Sequence, residues 1–433
     1  MLLEGVMRNL PRQHFFVIVC PIVKEPSDSL SNAADVVVQL PLRQEAARTI
    51  LGDLGLDVLV YADMNSEPAT HFLGYARLAR VQAVFWGNPI TSGNPSIDYF
   101  ISADAMESQR RTLQTDEEEP YSEQVVLLDG QGIWYDKPTH GVLPPPPRLR
   151  EKTRVTLRQN LKSRLGIDDN RWARDLRTKN VRCFACIPEP PASRHAALRI
   201  LPLSSPRSTM VKRIVLYNSS SRLFPLCFLS PRPGLTSVVY TCPQSLFKLR
   251  PFFDLVFKDI LEAQAAHLVL LEGRRESWTE AFLHRLKTAA PGIVDRVHVL
   301  PRTSAGREFH ELLASADVIL HPFPFGGSKT AADGLALGVP VVAMAGEMLP
   351  GRMAYSLYKT MGLALAGDRG YVALAVRLGK NESYRRWAGK LLDERSSALW
   401  ERPEVVFEWA RFLARAAGRI PPAASEVSFY LTL

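Results

Sequence analysis

The chain has 433 residues, enough for two or three domains, and its 46% hydrophobic and 22% charged content excludes a wholly disordered or fibrous protein. Five cysteines are too few for a disulfide scaffold and suggest a reducing compartment, cytoplasmic or nuclear. The formal net charge of +9 is local: between Gly141 and Thr236, 19 lysines and arginines face five acidic residues, against 34 and 39 elsewhere.

The opening stretch has no signal-peptide pattern, since Glu4 and Arg8 interrupt it. No apolar run reaches the ~18 residues of a membrane span, so no membrane partner is expected. From Phe15 onward, short β-branched runs read as strands: Phe15–Cys20, Asp35–Leu40, Asp57–Ala62, Val81–Trp86, Ile97–Ser102 and Val125–Leu128. Near-continuous apolar runs of this length suit a parallel sheet covered on both faces. Leu42–Leu54 and Ala69–Ala79 read as intervening helices, so residues 1–137 are expected to form a doubly wound α/β domain.

Residues 138–236 break the pattern. They carry the basic excess, and the stretch from Gly141 to Thr236 holds 12 of the 32 prolines and three of the five cysteines. An insertion of this length without clear periodicity is expected to be mostly irregular and disordered. Internal apolar runs such as IVLYN fit a solvated linker poorly, and a translated non-coding stretch has the same appearance.

The alternation returns over residues 237–433. Val238–Cys242, His267–Gly273, Arg296–Pro301, Asp317–Pro322 and Pro340–Gly346 read as strands. Helices are expected at Arg250–Ala265, Thr279–Ala289, Gly306–Ser315, Thr330–Leu337 and Arg352–Met361, with a helical tail from Tyr371 to about Ala417. The fold class is therefore α/β, with two Rossmann-like domains. No internal repeat of 20–50 residues occurs.

The strongest motif is LHPFPFGGSKTAADGLALGVPVV, from Leu320 to Val342. A strand ends, a loop with Gly326 and Gly327 follows, and Ser328, Lys329 and Thr330 open a helix. Backbone amides there favour a phosphate, and glycines let it approach closely. Asp333, one turn on, is placed to accept hydrogen bonds from a ribose. Read alone, the motif is equally a strand–helix turn capped by Ser328. A P-loop is excluded, because its two required glycines would be Phe323 and Ser328. The second motif, CPQSLFKLRPFFD, puts Lys248 in the loop after the first strand of the second domain, where open α/β sheets bind ligands. Cys183 and Cys186 lack a second pair at zinc spacing and no Asp-x-Asp occurs, so no metal is expected.

At these two motifs the sequence resembles the catalytic region of the O-GlcNAc transferases, over about Leu2–Asp129 and Val238–Ala417. The resemblance implies a GT-B fold, with two Rossmann-like domains facing a cleft. It implies UDP-GlcNAc as donor substrate, Ser/Thr hydroxyls of proteins as acceptors, and no further cofactor. It places Lys248 on the donor phosphates with Gln244 nearby, and the pyrophosphate on Gly326, Gly327, Ser328, Lys329 and Thr330. Asp333 falls on the ribose, Phe309 on the uracil face, and Thr303 with Ser304 beside the base. In the first domain, Thr91 and Ser92 of NPITSGNPSIDYF match a cleft-facing P-x-T-S-G loop, and Asp63 and Asn65 of YADMNSE match a polar loop at a strand's end.

The departures are specific. Met1 falls inside a family helix, so the first strand and its His loop are expected to be missing. Ser328 stands where the family has His, Lys329 where it has Thr, and Phe247 where it often has Tyr. No general base is identified, and His71, His310 and His321 read as structural or surface residues. Three functions stay open: a transferase, a nucleotide-binding pseudoenzyme or fragment, and a basic scaffold. The last would attract nucleic acid without specificity, since the basic segment lacks interleaved aromatics.

Overall fold

A computed structural model describes residues 2–22, 25–62, 64, 66–108, 121–137, 147–167, 237–302, 306–363 and 370–418. Its first half holds a short parallel pair, β1 (Ile18–Val19) and β2 (Val36–Val37). Beside it runs a parallel sheet in the order β3-β4-β5-β6, formed by Val58–Tyr61, Val81–Phe85, Tyr99–Ala103 and Gln124–Leu128. Ala83, Val84, Phe100 and Ile101 are all buried, so successive side chains pack on opposite faces of the sheet. The continuous apolar runs required this.

The second half holds β7 (Val238–Cys242), β8 (Ala266–Leu271), β9 (Val297–Leu300), β10 (Val318–Leu320) and β11 (Val341–Val342). Their order is β11-β10-β7-β8-β9, all parallel. The chain moves outward from β7 through β9, then restarts on the other side of β7. The order thus reverses between β7 and β10, and the crevice outside their carboxyl ends is where such sheets bind ligands.

Two expectations are corrected. The segment from Gly141 to Thr236 is not irregular throughout: Pro147–Arg164 is an 18-residue helix. Leu161 of that helix is buried with Val239, Val269 and Leu312 of the second domain. Arg158 donates to Asp317 Oδ1 at 2.7 Å and to the Ser237 carbonyl at 2.8 Å. Residues 138–146 and 168–236 lie outside the described residues. The second correction concerns the tail, which the sequence groups with the second domain over residues 237–433. Pro403–Ala416 is helical, with proline in its first turn where its missing N–H costs nothing. Its buried face, Val405, Val406, Trp409 and Ala410, packs largely on the first domain. Trp409 Nε1 donates to the Gly132 carbonyl at 2.8 Å and its ring meets Phe85. The last helix returns because β6 and the Glu4–Asn9 helix otherwise leave apolar surface uncovered.

Replacing Arg158 by alanine is expected to lower stability by about 2 kcal/mol, the scale for hydrogen bonds to a charged group. Arg385 Nε, 3.3 Å from Asp317, stays to compensate part of the carboxylate charge. Amides over 156–165 should then exchange faster; unchanged exchange there would show that the helix does not depend on this ion pair.

Candidate functional site

The site lies at the carboxyl ends of β7 and β10. After β7 the chain makes one 3-10 turn, Leu246–Lys248, seated by the buried Leu246 and Leu249. That turn aims Lys248 across the switch point. Its ammonium donates to the Gly326 carbonyl at 2.6 Å and to Gln244 Oε1 at 3.2 Å, and lies 4.4 Å from the centre of the Phe325 ring. Two of its three N–H donors are thus accounted for. Burial disfavours the charge and pushes the Lys248 pKa down to about 8.

After β10 the chain turns through Gly326 and Gly327 into the Ser328–Ala336 helix. Close approach requires glycine at 326 and favours it at 327. A Cβ on Gly326 would fall inside the imidazole of His321, and one on Gly327 would lie 2.7 Å from Gln244 Oε1. His321 is buried, and the Gly327 N–H donates to its Nε2 at 3.0 Å. Burial holds its pKa down at about 4, so the ring is neutral and shapes the turn. The N-cap is Gly327, which brings no side-chain cap, so the helix's first amides are left for another partner.

Ser328 is therefore not the helix cap that a plain strand–helix turn would make of it. It is the first helical residue, and its hydroxyl pairs with Tyr135 Oη at 2.6 Å and with Gln131 Oε1 at 3.5 Å. Both partners come from the first domain, and Gln131 Nε2 also donates to the Met353 carbonyl at 3.1 Å. Tyr135 and Gln131 were missed in the sequence. The available signal was DGQGIWY, in which Gly130 and Gly132 take positive φ just past β6.

Lys329 is also placed differently from the expectation. Its ammonium runs along the helix to Asp333 Oδ1, away from the helix start. Thr330 is half-buried beside it. Asp333 is buried, and His310 Nε2 stands 3.6 Å from its other oxygen. Phe309 is half-buried, with its ring next to that of His310. Thr303, Ser304, Asp63 and Asn65 lie outside the described residues. Ser66, at the end of the polar loop, accepts from Asn88 Nδ2 at 3.2 Å.

Thr91 and Ser92 are corrected. Thr91 Oγ1 donates to Glu123 Oε2 at 2.7 Å, and the Ser92 N–H donates to Glu123 Oε1 at 2.7 Å. Glu123 immediately precedes β6, so these groups close the amino end of the sheet. The carboxyl end, at Leu128 and Gly130 to Tyr135, is what meets the second domain. The two hydroxyls satisfy a buried carboxylate, which would otherwise be costly.

These features define a class. The chain has the GT-B fold of nucleotide-sugar glycosyltransferases. It matches an O-GlcNAc transferase variant from Thermobaculum terrenum with a TM-score of 0.64 at 18% identity, covering 96% of this chain and 65% of that one. It matches HepE from Anabaena, in complex with UDP and glucose, with a TM-score of 0.52 at 10% identity, covering 95% of each. In sequence it is similar to probable UDP-N-acetylglucosamine–peptide N-acetylglucosaminyltransferases named SPINDLY. The tomato protein (Solanum lycopersicum) is 27% identical over 174 residues, 38% of this chain and 18% of that protein. The Petunia hybrida protein is 29% identical over 161 residues, 35% and 17% respectively. The chain thus matches about a fifth of the length of these relatives. No protein-family model matches it.

Proposed function

We propose that this chain is a glycosyltransferase of the O-GlcNAc transferase type, taking UDP-GlcNAc as donor and Ser/Thr hydroxyls of cytoplasmic or nuclear proteins as acceptors. The observation that carries this reading is the meeting of Lys248 with the Gly326–Gly327 turn at the switch point, 2.6 Å from nitrogen to carbonyl. A lysine ammonium and an uncapped helix start converge there on one spot, a site for a pyrophosphate. The acceptor oxygen attacks the anomeric carbon, and the bond from that carbon to the UDP oxygen breaks with inversion. Negative charge grows on the leaving pyrophosphate, and the preorganised donors meet it there. The first domain contributes through Tyr135 and Gln131, which hold Ser328 from across the seam.

Calorimetry with UDP tests the site directly. Lys248 serves a phosphate only as an ammonium, and burial pushes its pKa down to about 8. UDP affinity should therefore be steady towards pH 7 and fall as pH rises through 8, by up to about tenfold per unit. Lys248→Met should flatten that dependence. UDP binding without sugar transfer to Ser/Thr peptides would favour the pseudoenzyme reading; no UDP binding at any pH would remove the nucleotide site.

A further inference from the structure

This inference rests on the nucleotide site above and concerns how its parts communicate. Lys329 and Asp333 sit one turn apart on the Ser328–Ala336 helix and are hydrogen bonded, yet their surroundings differ sharply. The lysine side chain is 59% exposed and the carboxylate 5%. The cation therefore covers a buried acceptor from the solvent side. On its other side the carboxylate faces His310 Nε2 at 3.6 Å, so it keeps a neighbour if the lysine leaves. The Lys329 backbone belongs to the helix's first turn, beside the uncapped amides that favour an anion. An ammonium on a flexible four-carbon stem is able to serve either end of that turn.

We propose that Lys329 is a shuttling counter-ion. With the phosphate subsite empty it holds Asp333, whose Oδ1 is then engaged and covered. A phosphate at the helix start, doubly charged and set against the helix dipole, draws the ammonium away. Asp333 is thereby opened to the hydroxyl donors of a ribose lying one turn along. The exposed side of the pair meets water and salt, so the exchange is cheap. A nucleoside alone must displace Lys329 without the phosphate's help. The phosphate and ribose subsites are thus positively coupled, and the site discriminates against nucleosides that lack a phosphate.

The test is calorimetry on the full chain with uridine and inorganic phosphate as separate ligands, at matched ionic strength because salt alone loosens the pair. Saturating phosphate should tighten uridine binding about fivefold or more, and uridine should tighten phosphate binding by the same factor. Lys329→Gln should abolish that enhancement and bind uridine alone at least as tightly as the unaltered chain. Asp333→Asn should bind phosphate more tightly than the unaltered chain, since its lysine is no longer held. Uridine affinity indifferent to phosphate, or an enhancement that survives Lys329→Gln, overturns the shuttle. UDP titrated in parallel separates the two ideas: UDP binding without coupling defeats the shuttle and leaves the nucleotide site standing, while absence of UDP binding defeats both.

Discussion

Lys248→Ala is expected to lower turnover with UDP-GlcNAc and a Ser/Thr peptide by ~10²–10³-fold, the scale for removing one preorganised donor from a developing oxyanion. UDP affinity should fall by less, because the charge on the pyrophosphate grows as the sugar bond breaks and the ammonium is worth most at that point. The structure shows why this lysine is a strong candidate. Its ammonium is kept where burial disfavours it, with the pKa down at about 8, and is held by the Gly326 carbonyl, Gln244 and the Phe325 face. A cation held in a poorly solvated place interacts strongly with an incoming anion. Lys248→Arg should not rescue turnover, since a planar guanidinium cannot occupy the position of a compact ammonium. Turnover and UDP affinity both unchanged in Lys248→Ala would return Lys248 to an ordinary structural role.

The strands, and the placement of Lys248 against the Gly326 turn, were legible in the sequence. Every strand expected from an apolar run is present, with no end shifted by more than four residues; outside the exposed β2, this is because a buried parallel strand leaves a continuous apolar signature. The convergence of Lys248 on Gly326 followed from strand order: two loops at carboxyl ends on either side of a reversal must face one crevice. What sequence could not show was which partner each polar side chain takes. Lys329 stands in a helix start and reads as a phosphate donor, but its ammonium pairs with Asp333, four residues on. Thr91 and Ser92 read as cleft hydroxyls, but Glu123 sits 32 and 31 residues away in sequence and claims them. The helix at Pro147–Arg164 was hidden for another reason. Its stabilising contacts, Leu161 on Val239 and Arg158 on Asp317, are made with strands and loops far along the chain, and its own sequence is strongly polar. Tertiary packing, not local pattern, supplies that helix.

Gly326→Ala is expected to be the most damaging single-methyl change in the site. The added carbon would overlap the His321 ring, and that ring has little room to yield. His321 is 2% exposed, its backbone N–H donates to the Val342 carbonyl at 2.9 Å, and Tyr371 Oη donates to its carbonyl at 3.1 Å. The turn must therefore move, carrying with it the carbonyl that anchors Lys248. A stability loss of about 2–3 kcal/mol is expected from the overpacking, together with at least about a tenfold loss in UDP affinity. Gly327→Ala should be milder, because its methyl meets the movable amide tip of Gln244. A double-mutant cycle separates steric conflict from general fragility. His321→Ala alone should cost about 3 kcal/mol through its cavity and the lost acceptor for the Gly327 N–H. In the His321→Ala background the methyl added by Gly326→Ala enters vacated space, so the two losses should fall short of additivity by about 1–2 kcal/mol. Thermal and denaturant unfolding of the four proteins measures that coupling. Strict additivity would mean that the Gly326 turn does not rest on the imidazole, and steric conflict with His321 would no longer explain why glycine is needed at that position.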